Sequence, residues 1–210
     1  NGSAGYTRAT TAFSYEDISG SGTDLNMSDD DLSGAQAIGF TFSYFGSDFT
    51  QVYVSDNGYI TFDNNEGGYE GEQFPSANNE ITNAIAAFWM DGYPSSGNCD
   101  VYVESKDTPN RFIAQWHNCD ELGGADDNNF QIVLYETNEF DIVLDNVDGS
   151  QDTNDDSIGY NNGDGTQGES IAFSSTGVVY TDTAWRVSPT SSTDCSGVTY
   201  SILGTDENGI

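Results

Sequence analysis

The sequence predicts an all-β protein, a β-sandwich of antiparallel strands with long acidic loops. Three observations predict it. No stretch longer than about ten residues carries a 3.6-residue apolar period. Short apolar or alternating segments recur instead between turn signals rich in Gly, Asn, Asp and Pro. The longest apolar run, Ala84–Met90, is stopped by Asp91-Gly92. It is too short for a membrane span or a typical helix and fits a strand buried on both faces.

Taken in order, residues 1–10 are polar and read as an extended N-terminal segment. Thr11–Tyr15 alternates and is predicted as the first strand, followed by a turn-rich connection, Glu16–Gly34, that contains Asp29-Asp30-Asp31. Ala37–Gly46 has period two, with Phe40, Phe42 and Tyr44 on one face and Thr41 and Ser43 on the other. Val52 and Val54 lead through Asp56-Asn57-Gly58, a tight-turn signal, into Tyr59–Phe62, which predicts a hairpin. Asn64–Asn79 is a long polar loop before the buried run.

Beyond that run, Asp100–Glu104 and Arg111–Trp116 read as a second hairpin. Its open end brings Cys99 and Cys119 together, which predicts a disulfide; three scattered thiols lack metal-ligand spacing. Glu121–Asn129 is a polar loop, and Phe130–Tyr135 with Glu139–Val147 forms a third hairpin. Residues 148–169 are the most acidic, turn-rich loop, interrupted by Ser157–Tyr160, and short strands follow at Ile171–Phe173, Val178–Tyr180 and Ala184–Val187. Residues 1–187 read as a single domain. Residues 188–210 read as a Ser/Thr/Pro linker plus a terminal strand, Val198–Leu203, which would begin a next module or pair with a neighbouring subunit. Cys195 is left as a free thiol, a cross-link, or half of a bridge to a partner outside the chain.

Charge narrows the partners. The chain of 210 residues holds 35 Asp and Glu against 4 Lys and Arg, a net charge of −31. Nucleic acid and anionic membrane surfaces both require the basic residues that are scarce here, and neither is expected as a partner. No apolar span predicts membrane insertion, and the start at Asn1 fits a processed secreted chain. The 12 Phe, 12 Tyr and 3 Trp predict a folded protein despite the charge. Self-repulsion of this size is relieved by salt or bound cations, so the acidity fits a marine or halophilic setting, calcium sites, or both.

Six segments in one order carry a family resemblance: Ile38–Gly46, Val52–Phe62, Ala84–Asp91, Arg111–Trp116, Phe130–Glu136 and Ile158–Tyr160. Together they resemble the nidogen-like extracellular β-domain, most closely its bacterial relatives in secreted and surface proteins, over roughly residues 13–187. The resemblance implies a non-catalytic module, extracellular or at the cell surface. It would serve in adhesion, matrix or filament assembly, or as an accessory to secreted enzymes. Its partners would be other copies of itself or extracellular protein or polysaccharide.

Three chemistries can be weighed on the residues themselves. For Ca²⁺, Asp148, Ser150, Asp152, Asn154 and Asp156 place oxygen ligands at every second position, as in loops that wrap a hard cation. An EF-hand is excluded by the absence of Gly at the sixth and Glu at the twelfth loop position. Asn162, Asp164 and Glu169 would close the same site, and Asp29, Asp30 and Asp31 form a second candidate. The plainer account of both is a solvated acidic loop. For glycoside hydrolysis, so many acids single out no pair about 5 to 9 Å apart, and the lone His117 has no Gly-x-Ser-x-Gly nucleophile to serve. For sugar binding, Tyr69, Tyr93 and Tyr160 lie beside Asp and Asn, whereas Trp89, Trp116 and Trp185 sit inside strand patterns and are expected in the core.

Overall fold

In the computed structural model, residues 5–94, 99–124, 127–149, 155–174 and 176–190 are described. They form β1 (Tyr6–Thr10), β2 (Thr23–Asp24), β3 (Gln36–Tyr44), β4 (Ser47–Val54), β5 (Tyr59–Thr61), β6 (Ala84–Trp89) and β7 (Asp100–Lys106). These are followed by β8 (Arg111–Cys119), β9 (Asn128–Tyr135), β10 (Phe140–Asp148), β11 (Asp156–Asn161), β12 (Gly168–Ser174) and β13 (Val179–Pro189). Two antiparallel sheets pack face to face. One runs β1-β13-β10-β9-β8-β7-β2 and the other β12-β11-β6-β5-β4-β3.

The predicted hairpins form. Val54 pairs with Ile60 across the Asp56-Asn57-Gly58 turn, and Phe140 pairs with Leu134. Asp100 pairs with His117 at the open end of the β7/β8 hairpin, where Cys99 and Cys119 are joined by a disulfide. Every residue of β6 is buried. Ile85, Ala87 and Phe88 face the inter-sheet core with Trp116, Phe130 and Ile132. Ala84, Ala86 and Trp89 point outward into a second apolar cluster with Tyr59, Phe74 and Ile81. The polar loop predicted before β6 supplies that cover. Trp89 Nε1 donates to the Gly68 carbonyl (3.0 Å), and Gly67 N donates to the Tyr59 hydroxyl (2.9 Å).

Two expectations are corrected. Thr11–Tyr15 is not the first strand. Phe13 and Tyr15 pack with Ile18 on Ile113, Val133, Val143 and Ala184, on the far face of the seven-stranded sheet. Polar links fix this segment there: Ile18 N donates to Gln115 Oε1 (2.8 Å), and Gln131 Nε2 donates to the Glu16 carbonyl (2.6 Å). The first strand is the polar β1, held by its ladder to β13. Likewise, the predicted strands Val178–Tyr180 and Ala184–Val187 are merged from Val179 onward into one strand, β13, because pairing with β10 carries on through the polar Thr181–Thr183. Cys195 and Val198–Leu203 lie outside the described residues.

Candidate functional site

The Asp56-Asn57-Gly58 turn, which the sequence reads only as punctuation, is buried: Asp56 and Asn57 are 0% and 1% exposed. Asp56 Oδ1 accepts from Asp31 N (2.8 Å) and Oδ2 from Asp30 N (3.1 Å). Asn57 Nδ2 donates to Asp30 Oδ1 (3.0 Å), while its Oδ1 accepts from Gly92 N (2.8 Å). The turn therefore ties the 29–31 segment to the end of β6. Burial pushes the Asp56 carboxyl up to about 8; the Asp31 and Asp30 amides oppose the shift, and the charges of Asp30 and Asp29 add to it. Asp29, Asp30 and Asp31 do not converge as a ligand set. Asp31 Oδ2 accepts from Ser28 N and Oγ (3.2 and 3.1 Å), Asp30 is turned to Asn57, and Asp29 is exposed.

Of the alternating run from Asp148 to Asp156, Asp148 and Asp156 are described, whereas Asp152 and Asn154 lie outside the described residues. Asp148 ends β10, and its N donates to Asn128 Oδ1 (2.8 Å). Asp156 opens β11, is 1% exposed and accepts from Val178 N through Oδ2 (3.2 Å). Between them, Gly149 presses on two carboxyl groups. A Cβ there would stand 1.9 Å from Asp156 Oδ2 and 3.1 Å from Glu121 Oε1. Glu121, read from sequence as part of a polar loop, is 1% exposed and bridges to Gly92, next to the buried Asp91 and Asp120. One end of the sandwich thus gathers buried acids. Asn162 lies beyond the opposite end of β11 from Asp156, Asp164 Oδ1 accepts from Thr166 N (3.1 Å), and Glu169 is held by Arg8 (2.8 Å). The other basic side chains are engaged elsewhere: Lys106 with Glu16 and Glu104, Arg111 with Glu16, and Arg186 with Asp141. Among the described residues no three Asp, Glu, His or Cys side chains converge as a metal site.

An open cleft of about 880 Å³ lies on the outer side of the six-stranded sheet, between the 68–80 loop, Asp155 and Phe173 of β12. Its wall is stapled from within. Glu72 Oε2 accepts from Asn79 Nδ2 (3.1 Å) and Glu80 N (2.6 Å), Glu80 Oε2 accepts from Gly68 N (2.6 Å), and Gly71 N donates to the Asp155 carbonyl (2.6 Å). Phe74, 2% exposed, anchors the loop against Trp89. Tyr69 at the rim is 42% exposed. The expectation for Tyr160 is corrected: it is 2% exposed, packed edge-on to Phe140, with its hydroxyl donating to Glu169 Oε2 (3.3 Å). Tyr93 is half-buried, and the three Trp residues are core as expected.

The order of strands and the paired sheets can now be set against known proteins. A model described as NIDO related matches residues 5–205. The chain belongs to the NIDO-related family. The match takes in β1 and both sheets and reaches into the segment beyond β13 that the sequence set apart. No solved structure matches the chain. A NIDO-related β-domain carrying a disulfide is an indication of an extracellular module.

Proposed function

We propose that this chain is a non-catalytic adhesive module that attaches the protein carrying it to extracellular polymers or to further copies of itself. The observation that carries this reading is the NIDO-related match across both sheets. The disulfide at the β7/β8 hairpin supports an extracellular setting. Adhesion is tested with microspheres coated with the chain, against surfaces bearing the same chain, extracellular-matrix proteins or polysaccharides, with albumin-coated spheres as control. Attachment several-fold above the control, competed by soluble chain, is the expected result. Attachment at the control level on every surface, or turnover of a polysaccharide, would overturn the reading.

Ca²⁺ is proposed as the counter-cation of the acidic loops. The support is charge: the four Lys and Arg side chains are engaged with Glu16, Glu104, Asp141 and Glu169, while Glu121 and Asp156 are buried together beside Gly149. A cation that binds only the folded chain raises its stability by about 2.7 kcal/mol at a hundredfold excess over Kd. After EDTA treatment, CaCl₂ at fixed ionic strength is expected to raise Tm by several degrees, and Glu121→Gln to reduce that rise. An equal rise with NaCl would assign the effect to screening instead.

A further inference from the structure

We infer that the cleft between the 68–80 loop and β12 binds a neutral glycan, with sugar rings against Tyr69 and Phe173 and hydroxyls hydrogen-bonded to Glu70, Gln73 and Asn78. The inference supplies a ligand class for the adhesive reading and rests on that reading only for its biological sense. Four large apolar side chains are exposed among the described residues: Tyr69, Leu122, Phe173 and Val179. The two aromatic ones line the same cleft. Flat apolar rings held open to solvent above a polar floor match the two-sided chemistry of a sugar, whose C–H faces are apolar and whose rim carries hydroxyls.

The polar groups discriminate further. The side chains of Tyr69, Glu70, Gln73 and Asn78 make no hydrogen bond to other described residues, whereas Glu72, Asn79 and Glu80 are used to staple the loop. Gln73 and Asn78 each offer both a donor and an acceptor. A hydroxyl, which also donates and accepts, can satisfy both, whereas a lysine ammonium only donates and leaves the amide N–H groups unanswered. A polyanionic glycan is disfavoured because the lining holds Glu70, Glu72, Glu80 and Asp155 and neither Lys nor Arg. The internal staples hold the wall before ligand arrives, which lowers the ordering cost of binding.

The test is affinity electrophoresis of the whole chain in gels containing xyloglucan, galactomannan or dextran, with alginate as the acidic glycan. Calorimetric titration with poly-L-lysine runs alongside as the basic alternative. Retardation is expected in at least one neutral gel and not in alginate. Tyr69→Ala and Phe173→Ala are each expected to weaken it about tenfold or more, with the fold retained because neither ring belongs to an apolar core cluster. No retardation in any neutral gel, retardation indifferent to both substitutions, or binding to poly-L-lysine alone would overturn the assignment. Microsphere attachment that survives the double variant removes the cleft and leaves the adhesive function standing. Glycan binding without attachment does the reverse.

Discussion

Gly58→Ala is expected to cost about 4 kcal/mol of stability or to abolish folding, since it brings the closest contact of an added methyl among the described glycines. Gly58 has φ +85°. An added Cβ would lie 1.7 Å from the Phe88 carbonyl oxygen and 2.7 Å from its carbon. Both are backbone atoms of β6, so no rotamer change relieves the clash. The Gly58 carbonyl also accepts from Ala87 N and Phe88 N (3.1 and 3.3 Å), and forcing the strands apart would strip those bonds from a fully buried strand. Gly46→Ala is the control. Its φ is +84°, but a Cβ there meets nothing within 4 Å, so only the left-handed backbone penalty of about 1–2 kcal/mol applies. Urea denaturation of the two variants separates steric contact from backbone strain; equal losses would mean that the turn does not press on β6.

That contact also marks how far the fold could be read from the sequence. Period-two alternation in β3, the Asp-Asn-Gly turn and the uninterrupted apolar run of β6 are local signals, and each reports the element it belongs to. The cysteines were legible because a hairpin prediction placed both at one end. β1 was not legible: Tyr6–Thr10 is polar, and its strand conformation comes from pairing with β13, far away in the chain. Thr11–Tyr15 misled for the converse reason, since its aromatic residues pack across a sheet face from an irregular backbone.

The candidate site was less legible than the fold. The acidic runs stood out by composition, and Asp156 in one of them is buried, yet Asp56 and Glu121, buried as deeply, lie in segments that read as turn and loop. Their burial is imposed by partners far off in sequence, Asp30 and Asp31 for one and Gly149 for the other. The cleft was half-visible. Tyr69 could be named as a sugar-facing aromatic, but Phe173 sits in a strand pattern and shares the cleft with it only because β12 lies beside the 68–80 loop.

Asp56 carries the second large effect, a loss of stability as pH rises. Its folded-state carboxyl titrates at about 8, against about 3.9 for an unfolded aspartate. The folded chain therefore holds a proton that the unfolded chain gives up, and the stability this confers is complete below about pH 4 and is lost as pH rises towards about 8. The loss is at most about 1.4 kcal/mol per pH unit for one group. Glu16 and Asp17 act in the opposite window. Glu16 is lowered by Lys106 and Arg111 against the cost of burial, and Asp17 is lowered to about 2 by the Gln115 amide and Ser19. Their contribution fades only in acid and is flat from about pH 5 upward. Asp56→Asn removes the titration but puts an amide where Oδ2 accepts from Asp30 N, at a cost of about 1 kcal/mol. In urea denaturation at fixed ionic strength, the variant is expected to be the less stable chain at about pH 3.5 and the more stable at about pH 8, with the curves crossing between about pH 4 and 5, because the background shared by both cancels in the difference. Parallel curves across that range would mean that Asp56 is ionised throughout, and that two backbone amides suffice to hold a buried charge in this turn.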